Sequence, residues 1–470
     1  MLLPAIPDII RDFNISYNTS SWILTAYLIA GAVMTPIAGK LSDIYGRKKM
    51  VLIIMIIYII GISIGGFSTN IYLLLVARVI QGIGISMFPI AFGIIRDKFP
   101  KEKLAVGIGI FSSMFAAGSV IGLAIGGSII KNIGWHATFF TIIPIAIGLW
   151  LIIRRLIHDS SDRISQLSEL ETNRSKYCIS CGKVIVASRF IPIDIKGAIT
   201  LSVAIISFLL VLTYLGENSN IRSIEFIGFL IAGIASLVLF VYVEKRSDSP
   251  LIDLNILVDK IILPANIIIM IFGITMFMVY QTIPVIVRSP QPLGFGGDAI
   301  ATANVQLPFM IIFLVLAPSS GFIIAKLGNL KPTLVGSIIS TIGFFSLFLF
   351  HSTELLVAVN LAIIATGLSL MQVGGFNIAI EATPRKFSGI SLGMTVVLNL
   401  IGSSIGPAIA AIYMQANQEK VKGLIGSFPS SAAYNGIFLT AAIISIVSIV
   451  LVIIIKRRMM SLNHTTIGQS

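Results

Sequence analysis

Long runs of apolar residues, separated by short polar segments, fill most of this chain. Thirteen of these runs are close to or above the roughly 20 residues that an α-helix needs to cross a bilayer. They lie near 21–40, 50–68, 72–95, 104–130, 136–154, 195–215, 225–243, 262–287, 301–325, 332–350, 355–379, 388–414 and 434–455. Because lipid offers the backbone no hydrogen-bonding partner, runs of this length form helices. The pattern therefore predicts an all-α polytopic membrane protein.

The composition supports a membrane protein and excludes a soluble one. Of the 470 residues, 56% are hydrophobic and 11% are charged, and the mean hydropathy is +0.99, whereas soluble domains carry about 25% charged residues. The net charge of +13 does not indicate a nucleic-acid partner, because most Lys and Arg residues fall in alternate loops. We expect a multi-pass protein of the cell (plasma) membrane that contacts the lipid bilayer. The same rule places the C-terminal Lys456, Arg457 and Arg458 in the cytoplasm.

A polar segment at 39–49 separates the first two apolar runs and contains Gly39, Asp43, Gly46, Arg47 and Lys48. The segment closely resembles the signature loop between helices two and three of the major facilitator superfamily. That resemblance implies a cytoplasmic latch, in which Asp43 binds a neighbouring helix end and Arg47 binds an acidic partner. The alternative is a basic turn that only obeys the positive-inside rule. It accounts for Arg47 and Lys48, but not for Gly39, Asp43 and Gly46 at this spacing.

One cation, Arg78, lies well inside an apolar run, and Gln81 follows it one helical turn later. A buried cation in lipid is costly unless it faces water or a partner. The pair resembles the buried Arg and Gln of the fourth helix of the superfamily, which implies a place in the transport pathway or in a proton relay. The other interpretation is structural: Arg78 could bind backbone carbonyl groups and hold the helix bundle together.

A glycine-rich stretch lies in the run near 104–130. Its glycines are Gly118, Gly122, Gly126 and Gly127. The stretch resembles the antiporter motif of the fifth helix of the superfamily, which normally has proline where this chain has Leu123. A copy 284 residues later, with Gly402 in place of Gly118, keeps the proline in Gly406-Pro407. Helix packing alone explains glycines four residues apart equally well.

Matches at this offset predict a duplicated architecture of two six-helix bundles with two helices inserted between them. The predicted units are an N-terminal bundle at 1–155, a cytoplasmic loop at 156–193, two inserted transmembrane helices at 194–243, a cytoplasmic linker at 244–261, a C-terminal bundle at 262–456 and a cytoplasmic tail at 457–470. The first bundle shows only five apolar runs, and Met1–Ile10 resembles the tail of a sixth. We therefore expect the chain to begin inside a truncated first helix.

The inserted helices and their flanking sequences resemble the 14-helix drug:proton antiporter branch of the superfamily. This resemblance implies export of small amphipathic or hydrophobic compounds, with protons as the coupling ion. Proton-coupled export of cations usually needs a carboxylate inside the membrane. Members of the branch often use an aspartate in the first helix, and no acidic residue lies at the middle of an apolar run here. Proton coupling is therefore implied only by the resemblance.

Several further polar residues within apolar runs are candidates for lining a substrate cavity. They are Thr25, Tyr27, Asn266, Tyr280, Gln281, Gln372 and Asn377. For each of them, hydrogen bonding between helices explains the residue as well as contact with a ligand does.

The cysteines, Cys178 and Cys181, have the spacing of one half of a zinc-ribbon site. Zinc takes four ligands, and a second pair is missing, so we predict no metal site. A redox pair and a loop without special chemistry are the other interpretations. The chain contains no phosphate-binding loop, dinucleotide fingerprint or catalytic triad, so we predict a protein that is not an enzyme and has no cofactor.

Together these features predict a secondary active transporter that works as a monomer on small molecules. Two alternatives stay open. One is a carrier for another solute class, such as an organic anion paired with Arg78. The other is a non-transporting membrane sensor or scaffold with the same fold.

Overall fold

The computed structural model describes residues 2–98, 104–156, 194–217, 223–247, 250, 254–383, 388–421 and 426–467. Within these ranges the chain is helical, apart from short connections and one antiparallel pair of two-residue strands. The strands are β1 (Gln418–Glu419) and β2 (Phe428–Pro429). The predicted all-α fold is confirmed.

The N-terminal part of the chain contributes seven helices to the described structure. They are α1 (Ile6–Phe13), α2 (Tyr17–Tyr45), α3 (Arg47–Gly66), α4 (Ile71–Gly82), α5 (Met87–Lys98), α6 (Leu104–Ile133) and α7 (His136–Leu156). A 3-10 turn at Leu3–Ala5 leads into α1, and another at Ile83–Ser86 joins α4 to α5, so that α4 and α5 form one membrane span.

The remaining described helices follow in chain order. They are α8 (Ile195–Glu217), α9 (Ile224–Arg246), α10 (Leu254–Leu257), α11 (Ile262–Arg288), α12 (Ala299–Leu327), α13 (Leu330–Leu349), α14 (Glu354–Glu381), α15 (Ser388–Ala416) and α16 (Ser431–Ile467). Twelve spans of the described chain are long and apolar enough to cross a membrane. The thirteenth predicted span corresponds to α6, whose apolar stretch within the described residues is Ala117–Ile133.

Polar residues begin several of these helices by capping the first turn. The side chains of Ser16, Asn70, Ser223 and Asp298 accept hydrogen bonds from backbone N–H groups three residues later, at 2.9 to 3.1 Å. Such caps satisfy donors that a helix otherwise leaves without a partner. They therefore fix where α2, α4, α9 and α12 begin.

The segment at 39–49 was predicted to be a loop, and this prediction is wrong in its extent. Helix α2 continues to Tyr45 and α3 begins at Arg47, so only Gly46 separates them. Gly46 has φ 92°, a conformation that glycine adopts without the steric cost of a side chain. Residues 40–45, which include Lys40, Ser42 and Asp43, thus extend the helix beyond the apolar run, because helical hydrogen bonding does not require apolar side chains.

The two inserted helices pack differently. Helix α8 lies against α2 and α15, and its residues Ala198 and Leu201 share an apolar cluster with Ile29 and Met394. Helix α9 packs mainly on α8 and exposes most of its apolar side chains, as a helix surrounded by lipid does.

The parts of the chain before and after the inserted helices, which we call the N-terminal and C-terminal halves, meet along two helix pairs. Helix α2 packs on α15, and α6 packs on α12. We call the end of the bundle opposite 39–49 the distal end. Ion pairs of Asp8 with Arg288 and of Lys131 with Asp298 join the halves there.

Candidate functional site

The buried cation Arg78 lies at the meeting point of α2, α3 and α4. Its Nε donates to the carbonyl of Ile23 at 2.8 Å, and its Nη1 donates to Gln81 Oε1 at 2.9 Å. Its guanidinium carbon lies 4.4 Å from the ring centroid of Tyr27, which is a cation–π distance. Gln81 Nε2 then donates to the carbonyl of Gly61 at 2.9 Å. The structure therefore joins three predicted site residues into one network, which we call the arginine cluster.

The arginine cluster is closed to bulk water but keeps unused hydrogen-bonding capacity. Arg78 is 9% exposed and Gln81 is 3% exposed. A guanidinium has five N–H donors, and the described bonds use two of them. No carboxylate of a described residue forms an ion pair with Arg78. The site therefore holds a positive charge and unused hydrogen-bond donors among α2, α3 and α4 of the N-terminal half.

Thr25 occupies the contact between the halves rather than the arginine cluster. Its hydroxyl donates to the carbonyl of Ser404 in α15 at 3.1 Å. About two turns earlier along the same contact, the backbone N–H of Tyr17 donates to Gln415 Oε1 at 3.3 Å. Both bonds link α2 to α15 in the distal part of the bundle, so Thr25 helps to hold this contact closed.

The cavity candidates of the C-terminal half are buried inside that half. Asn266 Oδ1 accepts from the hydroxyl of Thr395 at 2.7 Å, whereas its Nδ2 has no partner in the described structure. Tyr280 is 7% exposed, and Gln281 is 1% exposed with an unpaired Oε1. Helix α11, which carries all three, is the most enclosed of the described spans.

The remaining polar candidates take no part in the arginine cluster. Gln372 and Asn377 lie partly exposed on α14, and no described residue forms a hydrogen bond with either. Arg47 donates to the carbonyl of Gly93 at 2.6 Å, a contact within the N-terminal half. Lys48 is half-buried at the start of α3, and Gly39 has free space around it. The side chain of Asp43 lies outside the described residues, as do Cys178 and Cys181.

The two glycine motifs occupy different packing environments. A Cβ atom on Gly127 would lie 2.8 Å from the carbonyl oxygen of Ala299 in α12, across the contact between the halves. A Cβ on Gly406 would lie 2.5 Å from the carbonyl of Ile274 in α11, inside the C-terminal half. Gly118 has nothing within 4 Å of an added Cβ. Gly122, Gly126 and Pro407 are buried.

Charged residues at the distal end form contacts that the sequence did not indicate. Arg288 makes a two-bond ion pair with Asp8 and also donates to the carbonyl of Pro4 at 3.1 Å. Lys131 Nζ lies 2.8 Å from Asp298 Oδ2. The hydrogen bond from Lys131 and that from the N–H of Ala301 lower the pKa of Asp298, because both stabilise the carboxylate. Each pair consists of residues far apart in sequence, which no local pattern could have brought together.

Two helical halves that meet around buried polar side chains, in a chain with twelve apolar spans in its described part, define a membrane transporter. The chain belongs to the Major Facilitator Superfamily, whose family model matches residues 1–407. The superfamily fold that the motif at 39–49 predicted is therefore confirmed. The protein is a multi-pass transporter of small molecules, and not an enzyme.

Related proteins carry names that refer to drug resistance and export. Multidrug resistance protein 3 of Bacillus subtilis is 28% identical over 92% of this chain and 80% of its own length. The tetracenomycin C resistance and export protein of Streptomyces glaucescens is 26% identical over 87% of this chain and 71% of its own. These bacterial relatives indicate the cell membrane as the location.

Solved structures share the fold at low sequence identity. The nucleoside transporter NupG has a TM-score of 0.61 at 10% identity and covers 97% of this chain, which covers 94% of NupG. The xylose transporter XylE of E. coli has a TM-score of 0.57 at 11% identity, over 94% of this chain and 91% of XylE. At this identity the likeness concerns the fold alone.

Proposed function

We propose that this chain is a secondary active exporter of small amphipathic or hydrophobic compounds that works by alternating access in exchange for protons. The observation that carries the proposal is the set of contacts between the halves. At the distal end α2 meets α15 and α6 meets α12 through small residues and two ion pairs. Such contacts can separate without unfolding either half. The drug-resistance and export names of the relatives support the compound class.

The proposed topology places the distal end outside and the C-terminus in the cytoplasm. The support is the basic residues at the opposite end: Arg47, Lys48 and Lys49 begin α3, and Lys456–Arg458 lie in the last part of α16. The proposed working unit is a monomer, because each half finds its packing partners within one chain. Membrane-impermeant labelling of single cysteines at the two ends of the bundle tests the topology.

The proposed roles follow the positions of the side chains. The arginine cluster lies where an acceptor group of a substrate, or a proton relay, could use the free donors of Arg78. Arg47 and Asp43 are proposed to form a latch at the other end. The contact of Arg47 with Gly93 supports the part of that latch that lies within the N-terminal half.

The branch and the domain division belong to the same proposal. We assign the chain to the 14-helix drug:proton antiporters because α8 and α9 lie between the two halves in sequence. The proposed units are those of the sequence analysis, with bundles at 1–155 and 262–456. Helix α8 contacts α2 and α15, so the inserted pair covers one of the two helix contacts that must move.

Transport in proteoliposomes with an imposed pH gradient tests the proposal. The purified chain should move a fluorescent amphipathic cation such as ethidium against its gradient, and collapse of the pH gradient should stop the movement. Arg78→Lys keeps the charge but loses the planar fork, and we expect it to lower the rate at least about tenfold. Tyr27→Phe is the matched control, since it keeps the aromatic face on which Arg78 lies.

A second candidate is a carrier for organic anions. The observation that favours it is the absence of a carboxylate partner for Arg78 among the described residues. An anion carrier would move an aromatic carboxylate, and not ethidium, in the same vesicles. A chain that moves neither compound under either gradient would be the sensor or scaffold instead.

A further inference from the structure

Pro284 interrupts the hydrogen bonding of α11 in a way that involves a neighbouring helix. In an α-helix the carbonyl of residue 280 accepts from the N–H of residue 284, but proline has no N–H. The carbonyl of Tyr280 instead accepts from Nε2 of Gln306 in α12, at 3.2 Å. A side chain of the next helix thus replaces the donor that the proline removed.

This bond fixes the orientation of the Gln306 amide. Only the NH₂ group can donate to a carbonyl oxygen, so Nε2 must face Tyr280 and Oε1 must face away. Oε1 has no hydrogen-bonding partner in the described structure, and the residue is 0% exposed. A buried acceptor without a donor is unfavourable. The site is therefore prepared for a donor that no described residue supplies.

The position of Gln306 places this acceptor beneath the contact between the halves. Ala299, Ala303 and Gln306 are four and three residues apart on α12, so they share one helix face. Ala299 and Ala303 meet Gly127 of the N-terminal half on that face. When α6 and α12 separate at the distal end, the same face, including Gln306, becomes accessible.

Aromatic rings lie next to the acceptor. The ring centroids of Tyr280 and Phe309 are 6.1 Å apart. Phe309 also stacks on Phe313, with ring centroids 5.9 Å apart and an angle of 9° between the ring planes. Phe309 and Phe313 also belong to the buried apolar cluster of the C-terminal half. A flat apolar group could lie against these rings while a polar group on it reaches Gln306.

We propose that Gln306 is a substrate-binding residue whose Oε1 accepts a hydrogen bond from an N–H group carried on a flat apolar compound. The assignment rests on the proposed transport function, because the ligand reaches this face when the halves separate. It selects compounds with an N–H donor over compounds of similar charge and size that have none. Gln306 would then set specificity, while Pro284 acts as a positioning residue.

Two cationic probes separate this role from a structural one. Ethidium is flat and carries aromatic amines, whereas tetraphenylphosphonium has no N–H group. Equilibrium binding of both is measured with the purified full chain in detergent. Gln306→Leu removes the acceptor but also leaves the carbonyl of Tyr280 without a donor. Pro284→Ala combined with Gln306→Leu restores that donor through the helix backbone and still lacks the acceptor.

We expect both variants to bind ethidium roughly tenfold more weakly, the loss expected for one hydrogen bond, and to bind tetraphenylphosphonium as the original chain does. Recovery of ethidium affinity in the double variant would make Gln306 purely structural and overturn the proposal. Equal losses for both probes, or no binding of either to the original chain, would also overturn it. If the original chain and both variants bind the two probes as expected, but the original chain does not transport ethidium under a pH gradient, the subsite stands and the export function fails.

Discussion

The glycine motifs of α6 and α15 are related by sequence but are used differently in the structure. On α15, a Cβ on Gly402 would lie 2.2 Å from the carbonyl oxygen of Met270, so this glycine permits contact with α11 of the same half. On α6, the equivalent Gly118 has nothing within 4 Å. The close approach of α6 occurs further along, at Gly127, and its partner is α12 of the opposite half.

This difference separates a contact within one half from a contact that the proposed transport cycle would break. The contact of α15 with α11 lies within one half, where the proposed alternating access would require no movement. The contact of α6 with α12 lies between the halves, and small residues there allow close packing that can be lost and regained. The same spacing of glycines therefore serves packing within one half on α15 and packing between the halves on α6.

The largest expected effect comes from filling the space at Gly402. Gly402→Ala places a methyl group against the backbone of Met270, which cannot move aside as a side chain could. We expect a loss of about 3 kcal/mol or more in stability, at the upper end of the cost of overpacking. Thermal unfolding of the purified protein, monitored by size-exclusion chromatography, measures this loss of stability.

Gly118→Ala is the matched control for this comparison. It adds the same methyl group at the equivalent position of α6, where the structure has room, and should change stability by less than about 0.5 kcal/mol. Equal losses in the two variants would show that the motifs are used alike, contrary to the structure.

A smaller effect is expected where α6 lacks the proline of the antiporter motif. Leu123 is 2% exposed and belongs to the apolar cluster of the C-terminal half. Leu123→Pro removes this side chain from the contact and deletes a helical hydrogen bond. Because membrane helices partly compensate for proline, we expect a cost of about 2–3 kcal/mol, measured as a lower unfolding temperature.

Pro407→Ala on α15 is the counterpart, since it returns a hydrogen bond to the helix and removes little buried volume. Its stability should stay within about 1 kcal/mol of the original. If Leu123→Pro is as stable as Pro407→Ala, then Leu123 contributes nothing to the contact between the halves.

The ion pairs at the distal end should differ according to their burial. Asp8 and Arg288 side chains are 11% and 16% exposed, whereas Lys131 and Asp298 are 49% and 43% exposed. Asp8→Asn leaves the largely buried guanidinium of Arg288 without its counter-charge. We expect this to cost about 2 kcal/mol of the free energy that keeps the distal end closed. A maleimide that labels Ala303→Cys, in a Cys178→Ser/Cys181→Ser background, should then react about 30-fold faster.

Asp298→Asn keeps the helix cap and removes only an exposed pair, which is worth at most about 1 kcal/mol. Its labelling rate should therefore rise by no more than about fivefold. If the labelling rate rises more for Asp298→Asn than for Asp8→Asn, the exposed ion pair contributes more to closure of the distal end than the buried one, contrary to this expectation.

The arginine cluster could be found from sequence, and the amide of Gln306 could not. Arg78 is conspicuous because a charge within an apolar run needs a reason, and Gln81 follows from helical spacing. The importance of Gln306 depends on Pro284, and these residues lie on different helices whose register a single sequence does not specify. The only available signal was the proline itself, which predicts a carbonyl without a donor but not the residue that binds it.

Helix positions were predicted better than helix ends. Hydropathy marks where lipid begins and ends, so it located the spans but stopped α2 at 40, although the helix runs to Tyr45. The ion pair of Asp8 with Arg288 also depends on tertiary structure, since 280 residues separate its members. Apolar patterning thus determines the membrane architecture, whereas the contacts between the halves depend on the tertiary structure.

The smallest expected effect is a pH dependence of the protein's stability that arises from a histidine in the C-terminal half. His351 lies between α13 and α14, donates from Nδ1 to the carbonyl of Leu347 at 3.0 Å and contacts the ring of Phe438. Burial lowers the pKa of His351 below its usual 6.5, because the imidazolium loses hydration. The fold therefore favours the neutral ring, and its stability should fall as pH drops below 6.5 and level off below the folded-state pKa.

Unfolding temperatures between pH 7.5 and 5 measure this effect, which should amount to about 1 °C for a half-buried group in a chain of this size. His351→Asn should remove that part of the pH dependence. His136→Gln, at the distal end of the N-terminal half, should leave it in place. If His136→Gln removes it instead, the acid-sensitive contact lies in the half that carries the arginine cluster, and His351 is not its source.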